Sequence, residues 1–216
     1  MKKSLIVASI LLGFSFIASP SYADLSVDLD TIFSNTTSPA GSGPWVLLDF
    51  NDISVGSVQL VITSQLKSAS EFITELDFNS SLVPLTIPLN GISVSGTVAT
   101  PSISQGYDSY KADGDGFFDI SLGFQTAAGQ GRFQMGDQIM ITFNGPGLTS
   151  SFFDSLSVNG GGQGVYTAAA HVQGILTGEG STWIGDPGTP VPEPATMLLF
   201  GTGVAGFAAI ARRKRS

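Results

Sequence analysis

The stretch Phe118-Asp119-Ile120-Ser121-Leu122-Gly123-Phe124-Gln125 alternates apolar and polar residues without a break. Successive side chains of a β-strand point to opposite faces of the sheet, so this pattern predicts a strand with one buried face. The same alternation recurs from Ile92 to Val98 and from Gln138 to Asn144. From Asp24 onward no long segment of the folded part keeps the i, i+3, i+4 apolar spacing of a helix. These stretches predict an all-β fold.

Six less regular stretches also have strand character, which brings the predicted number of strands to about nine. They are Trp45 to Phe50, Val55 to Thr63, Phe72 to Phe78, Leu82 to Ile87, Phe152 to Val158 and Val165 to Leu176. Gly, Pro, Asn and Asp lie between the strands, and no internal repeat indicates a propeller or solenoid. We therefore predict an antiparallel β-sandwich of jelly-roll-like character.

Three segments lack strand character. Asn35 to Pro44 and Asn159 to Gly164 are predicted to be loops, and Ser181 to Thr189 begins an exit linker marked by glycine and proline. The domain is taken as residues 24–186, and residues 187–191 connect it to the C-terminal tail.

The N-terminus has the features of a secretory signal peptide. Lys2 and Lys3 precede an apolar stretch from Leu5 to Ala18, and Ser21-Tyr22-Ala23 supplies the small residues that a signal peptidase requires. Residues 1–23 are thus predicted to direct export through the Sec translocon. Cleavage after Ala23 makes Asp24 the first residue of the mature chain.

The C-terminal tail combines an uncharged apolar run with a basic end. A helix from Ala195 to Ala211 would rise roughly 25 Å, which is at the short end of what spans a bilayer. Arg212, Arg213, Lys214 and Arg215 follow it directly, and positive charge beside an apolar span stays on the cytoplasmic side. We predict one transmembrane helix over 195–211, with residues 24–191 on the far side of the membrane.

Pro192, Glu193 and Pro194 immediately precede this span. The triplet, the glycine-bearing span and the basic cluster over residues 192–216 resemble the PEP-CTERM protein-sorting signal of Gram-negative bacteria. The resemblance covers only the tail. It implies recognition by an exosortase, a membrane-embedded cysteine transpeptidase that cuts near the triplet, so these are substrate residues. It also implies an association with exopolysaccharide, biofilm or floc formation.

The part of the chain that would be exported is strongly acidic. From Asp24 to Val191 it has 16 acidic residues against Lys67, Lys111 and Arg132, which gives a net charge of −13. Such a body lacks the basic patch that nucleic acid requires, so nucleic-acid binding is excluded. The acidity suits either a solvated surface or divalent cations. The absence of cysteine excludes disulfides, thiolate metal sites and cysteine nucleophiles.

The densest carboxylate cluster is Asp113-Gly114-Asp115-Gly116-Phe117-Phe118-Asp119. Alternate carboxylates and a glycine are typical of a calcium loop, which would make Asp113, Asp115 and Asp119 ligands of Ca²⁺. Lys111 and Leu122 occupy the first and twelfth positions, so the full motif is absent. The segment is predicted to be either a partial calcium site completed by a distant carboxylate or an Asp-Gly turn before a strand near Phe117.

No catalytic residue is assigned. His171 is the single histidine, predicted on a strand face with Ala169 and Gln173, and no Gly-x-Ser-x-Gly elbow accompanies it. A structural or surface histidine is therefore favoured over a catalytic one. Glu75 and Asp77 are expected to share a strand face with Ile73 as solvated carboxylates, although paired carboxylates also serve glycosidases.

Four aromatic residues are candidates for stacking on sugar rings, with core packing as the alternative. They are Trp45, Trp183, Tyr107 and Tyr110. Taken together, the sequence predicts a non-enzymatic exported protein with a structural or adhesive role in exopolysaccharide or biofilm, delivered to the cell surface or outside the cell. The alternatives are a calcium-dependent glycan-binding module and a carbohydrate-active enzyme acting on the matrix.

Overall fold

The computed structural model describes residues 24–34, 37–82, 89–113, 115–162, 164–177 and 180–188. This part of the chain folds into strands linked by loops and one short 3-10 helix, so the prediction of an all-β fold is confirmed. The strands are β1 Leu25–Leu29, β2 Thr31–Ile32, β3 Val46–Ser54, β4 Ser57–Ser64, β5 Phe72–Phe78, β6 Leu89–Ser95, β7 Ser102–Ala112, β8 Asp115–Gly123, β9 Phe133–Gln134, β10 Gln138–Asn144, β11 Ala168–Gln173 and β12 Ser181–Asp186.

The strands form two sheets, and within each sheet the neighbouring strands pair antiparallel. Sheet A has the order β1-β3-β4-β10-β6. Sheet B has the order β2-β12-β11-β5-β8-β7, and β9 also pairs with β5. The chain passes from sheet A to sheet B at four places, and two of these, from β1 to β2 and from β6 to β7, join strands at the edges of the two sheets. Each of these two crossings therefore lies along one lateral side of a sandwich-like fold.

The core lies between the sheets and is filled by alternate residues of each strand. In sheet A these include Val46, Leu48 and Phe50 of β3 and Ile139, Ile141 and Phe143 of β10. Phe50, Phe78 and Phe143 surround Phe153, with ring centroids 4.6, 6.1 and 5.3 Å from it, respectively. The alternation in the sequence thus corresponds to burial against the opposite sheet.

The predicted strand from Phe152 to Val158 is wrong. Ser150–Phe153 forms a 3-10 helix instead, which begins where the Ser150 amide donates to Asp52 Oδ1 at 2.6 Å. This turn points the Phe153 ring into the core, where its exposed fraction is zero. Only Val158 makes a strand-like contact, an isolated bridge to Phe117. The predicted strand from Leu82 to Ile87 lies almost wholly outside the described residues.

The prediction that an exit linker begins at Ser181 is also wrong. Ser181–Asp186 is strand β12, paired with β11 on one side and with β2 on the other. Its apolar residues lie on both faces, because Ile184 packs into the core and Trp183 into a second cluster on the outer face of sheet B. A strand buried on both faces does not alternate, so its sequence gives no period-two signal.

The described parts of Asn35 to Pro44 and Asn159 to Gly164 are irregular, in agreement with the prediction of loops. The first loop is fixed to the fold because the Ala40 amide donates to buried Glu71 Oε1 at 2.8 Å. Within the described residues no helix is long and apolar enough to cross a membrane. The predicted signal peptide and the predicted transmembrane helix over 195–211 lie outside those residues.

Candidate functional site

The outer face of sheet B carries a pair of carboxylates that a backbone irregularity places there. Glu75 pairs with His171, but the next residue of β11, Val172, pairs with Ile73, which leaves Thr74 as an extra residue. Such a bulge changes which residues share a face. Ile73 therefore packs in the core, whereas Glu75 and Asp77 point outward. The expectation that Ile73 shares their face is wrong for this reason.

Asp77 is completely buried, and neither of its carboxylate oxygens has a hydrogen-bond partner among the described residues. Burial raises the pKa of Asp77 from its ordinary value to about 7. The Ser121 hydroxyl opposes this rise, and the negative charge of Glu75 adds to it. The expectation of a solvated carboxylate is therefore wrong for Asp77, which is protonated over most of the acidic range.

Glu75 lies beside Asp77 on the same strand face and is half-buried. The Ser121 hydroxyl donates to Glu75 Oε1 at 3.4 Å, and Ser121 is also the cross-strand partner of Asp77. Burial raises the pKa of Glu75, while the Ser121 hydrogen bond lowers it. The Ser121 hydroxyl thus bonds to Glu75 and lies on the residue opposite Asp77, and burial makes both carboxyl groups retain their protons more strongly than in water.

His171 lies on this outer face, as predicted, and is half-buried. Its ring stacks on Trp183 with centroids 4.9 Å apart and planes 10° apart. Its Nδ1 is 3.0 Å from Thr74 Oγ1, whose hydroxyl also reaches the His171 carbonyl oxygen. Burial lowers the pKa of His171, and the charge of Asp113 opposes that shift. The imidazole is therefore held by the indole stacked on its ring and by the hydroxyl at its Nδ1.

A second apolar cluster covers part of this outer face. It consists of Phe33, Ala112, Phe118, Tyr166, Ala169 and Trp183. Phe33 stacks on Tyr166 with centroids 4.2 Å apart, and Ala112 comes from the end of β7. Because Ala169 is the cross-strand neighbour of Asp77 and is fully buried, this cluster closes the face on that side. A polymeric substrate has no direct access to Asp77.

The two tryptophans pack inside the protein. Trp45 is 4% exposed and donates from Nε1 to the Ala40 carbonyl oxygen, while Trp183 is 8% exposed and covers His171. Core packing thus explains both indoles better than sugar stacking does. Tyr107 is 52% exposed, and its hydroxyl donates to the Leu82 carbonyl oxygen at 3.2 Å.

The acidic segment around Asp113 connects β7 to β8 as a hairpin turn. Asp113 has a φ of 45°, and β8 begins at Asp115. Asp119 lies further along β8, where its two carboxylate oxygens accept hydrogen bonds from the amides of Asp108 and Ser80 at 2.9 and 3.2 Å. In the part of the chain that the structure describes, no three His, Cys, Asp or Glu residues are arranged to hold a metal ion.

The residues assigned to processing flank the folded part in the sequence. Asp24 is exposed and directly precedes β1, and Ala23 lies outside the described residues. Pro192, Glu193 and Pro194 lie outside them too, as do Arg212, Arg213, Lys214 and Arg215.

No sequence pattern links the Glu75–Asp77 pair to its neighbours Thr74, Ser121, His171 and Trp183. Ser121 is on the polar side of the alternating stretch quoted first, which was the available signal for its outward position. The other contacts depend on strand order and on the bulge, neither of which has a local sequence signature. The cluster is therefore a product of the tertiary fold.

No curated protein and no solved structure matches this chain. The PEP-CTERM protein-sorting motif matches residues 190–215. That match covers the same tail as the resemblance seen in the sequence, and it implies export, surface sorting and an exosortase as the processing partner. The chain thus carries a PEP-CTERM protein-sorting motif in its C-terminal tail, which indicates a protein sorted by an exosortase system.

Proposed function

We propose that this protein is a non-enzymatic structural or adhesive component of the exopolysaccharide or biofilm matrix of a Gram-negative bacterium. The single observation that carries the proposal is the PEP-CTERM match at residues 190–215. The exported body contributes through its folded surface, and its tail is the substrate of the exosortase.

The proposed sequence of events has four steps. The Sec translocon exports the chain, and signal peptidase cuts between Ala23 and Asp24. The apolar span 195–211 then holds the protein in the inner membrane with its basic end in the cytoplasm. Finally, the exosortase cuts near Pro192-Glu193-Pro194 and delivers the body to the cell surface or the exterior.

The fold is compatible with both cuts. Strand β1 begins at Leu25, directly after the predicted mature N-terminus, and its inward residues Leu25, Val27 and Leu29 are buried. Strand β12 ends at Asp186, before the sorting motif. Removal of the segments on either side of these two strands would leave every pairing described above in place.

Two observations on the body favour a non-enzymatic role over a carbohydrate-active enzyme, and a third bears on the calcium-dependent alternative. Asp77, the carboxyl group with the most perturbed pKa, is buried and has no direct access to a polymer. The His171 ring is stacked on Trp183, and its Nδ1 is in hydrogen-bond contact with the Thr74 hydroxyl. A calcium-dependent glycan-binding module would need ligands in addition to Asp119, whose oxygens already accept two amide hydrogen bonds.

The proposal is tested by the intact mass of the protein from the membrane and secreted fractions of a host that has an exosortase. The expected secreted form begins at Asp24 and ends near Pro192-Glu193-Pro194. Replacement of these three residues by alanine should leave the protein in the membrane with Arg212 to Ser216 still attached. Pro187→Ala, a proline change outside the matched segment, is the control and should be sorted normally.

Retention of the basic end by the unmodified protein in every fraction would refute processing by an exosortase. The role in the matrix is tested separately, by incubating the secreted form with isolated exopolysaccharide. Retention without change in polymer size supports a structural or adhesive role. Depolymerisation would establish the enzymatic alternative, and retention lost on chelation would establish the calcium-dependent module.

A further inference from the structure

An asparagine followed by glycine is prone to spontaneous loss of its side-chain amide. Glycine has no Cβ, so its backbone nitrogen can approach the carboxamide carbon of the preceding residue closely. The sequence has three such pairs, Asn90-Gly91, Asn144-Gly145 and Asn159-Gly160. Because the reacting groups are the same in each pair, the fold decides which of them reacts.

The fold protects the pair Asn144-Gly145. Asn144 is the last residue of β10, and its Oδ1 accepts a hydrogen bond from the Ser57 hydroxyl. The Gly145 amide, which would be the attacking group, donates to the Gly56 carbonyl oxygen at 2.9 Å. The Asn144 Nδ2 atom, which would leave, is buried. A bonded nucleophile and a buried leaving group both slow the reaction here. Asn90-Gly91 lies within a strand as well, β6, which pairs with β10.

The pair Asn159-Gly160 lies in a loop and has none of this protection. The Asn159 side chain is exposed, and among the described residues the Gly160 amide has no hydrogen-bond partner. The Gly161 amide donates to Asn159 Oδ1 at 2.8 Å. This bond holds the carboxamide over the backbone that follows it and polarises its carbonyl group. The nucleophile is thus available, and the carbon that it attacks is activated.

The base of this loop is fastened to the fold on both sides. The Ser157 amide donates to the Tyr166 carbonyl oxygen at 2.8 Å, and the Tyr166 amide donates to Ser157 Oγ at 3.0 Å. Val158 and Phe117 exchange two backbone hydrogen bonds, at 2.6 and 3.1 Å. A chemical change at Asn159 therefore leaves these bonds in place.

We propose that Asn159 is a site of spontaneous deamidation, and that of the three Asn-Gly pairs it is the one that the folded protein leaves reactive. The Gly160 nitrogen attacks Asn159 Cγ and forms a cyclic imide. The bond from Cγ to Nδ2 breaks, and ammonia leaves with the proton of the Gly160 amide. Water then adds to either carbonyl carbon of the imide and opens the ring, which gives an aspartate or an isoaspartate in place of Asn159. The Gly161 amide stabilises the negative charge that develops on Oδ1 during the attack.

The reaction changes the charge of the protein and leaves its fold intact. Each conversion adds one carboxylate, which takes the net charge of the exported body from −13 to −14. An isoaspartate also adds one methylene to the backbone, within a stretch of glycines that tolerates an altered backbone. The loop thus becomes more acidic as the protein ages, with water as the only co-reactant.

The test is peptide mapping by mass spectrometry after incubation of the purified protein, folded and in urea. Conversion of an amide to an acid raises the mass of the peptide, and chromatography separates the aspartate and isoaspartate forms. In the folded protein Asn159 should convert at least about tenfold faster than Asn144, which corresponds to about 1.4 kcal/mol in the barrier. In urea the two should convert at similar rates, because the unfolded chain exposes both pairs. The melting temperature should not change as Asn159 converts.

Gly160→Ala tests the attacking group. The added Cβ hinders the nitrogen, so conversion at Asn159 should slow by at least about tenfold. Gly145→Ala is the matched control, because a Cβ there would lie 3.7 Å from Leu148 Cβ, an ordinary contact, and the rate at Asn159 should stay the same. If Gly160→Ala changes the melting temperature, the comparison of folded and unfolded protein decides instead.

Three results would overturn the proposal. They are equal rates at Asn159 and Asn144 in the folded protein, faster conversion at Asn90 than at Asn159, and loss of the Asn159 reaction when the chain is folded. None of these measurements involves sorting or binding to exopolysaccharide, so the proposed function and this modification site are tested independently.

Discussion

Asp77 is the residue at which the structure makes the sharpest thermodynamic prediction. Its carboxyl group is buried without a hydrogen-bond partner among the described residues, and its pKa is raised from 3.8 to about 7. We consider Asp77→Asn, which keeps the size of the side chain and removes the ionisable group. The variant isolates the cost of holding a carboxylate at this position.

The sign follows from the direction of the shift. Between about pH 4 and pH 7 the unfolded chain loses the Asp77 proton while the folded chain keeps it, so stability falls as pH rises through this range. A shift of about three pKa units at 1.36 kcal/mol each sets an upper limit of about 4 kcal/mol for the loss. Below about pH 4 both states are protonated and the term is absent; above about pH 7 it is complete.

The assay is urea unfolding of the mature secreted protein, followed by circular dichroism at a series of pH values. The quantity to compare is the difference in free energy of unfolding between Asp77→Asn and the unmodified protein. This difference should move in favour of the variant by up to about 4 kcal/mol from about pH 4 to pH 8. Any constant cost of the buried amide cancels, because only the change with pH is read. Glu75, His171 and Asp186 also have shifted pKa values, but they remain in both proteins.

Asp108→Asn is the matched control. Asp108 is exposed and has a φ of 46°, a conformation that asparagine also tolerates. The Asp108→Asn substitution removes one negative charge from the same sheet without removing a buried group. The reasoning is refuted if the free-energy difference for Asp77→Asn stays constant with pH, because the carboxyl group would then be no harder to ionise in the folded chain than in the unfolded one.

Three further predictions concern the core, the histidine and calcium. Phe153→Ala should lower the free energy of unfolding by about 3–5 kcal/mol in urea, since the ring is fully buried against Phe50, whereas Val55→Ala, at a 90% exposed position, should have little effect. Proton NMR titration of the single imidazole should give a pKa below 6.5, and Trp183→Leu should move it upward by exposing His171 to water. Calcium should leave the melting temperature unchanged, because Asp119 is already engaged by two amides; a calcium-dependent rise that Asp113→Asn abolishes would instead establish the predicted ligand set.

The sequence predicted several strands that have one solvated face, but it missed Leu25–Leu29, which alternates between buried and exposed residues. The predicted stretches Trp45 to Phe50 and Gln138 to Asn144 lie in β3 and β10, whose side chains point alternately to the core and to the exterior. Phe72–Phe78 was also predicted, although its bulge interrupts this alternation. Prediction also failed for a strand whose two faces are both buried and for a helical turn that places a side chain in the core. Ser181–Asp186 is buried on both faces, and Ser150–Phe153 coils to insert one phenylalanine into the core.

The candidate site was less predictable than the fold. Glu75 and Asp77 were recognised as carboxylates on one face, but the extra residue Thr74 determines which face that is. A bulge depends on how two strands distant in sequence fit together, so local alternation does not reveal it. Likewise, the burial of Asp77 depends on Ala169 and on the cluster that packs around it.

The sequence by itself determined the all-β character and the sorting motif at residues 190–215. Both are local properties, one a period-two pattern and the other a contiguous linear signal, so they need no tertiary context to be read. Only the tertiary structure decided that Asp77 is neutral over the acidic range and that Trp183 covers His171. Desolvation and exposure are set by neighbours far apart in the chain, and strand order is what brings those neighbours together.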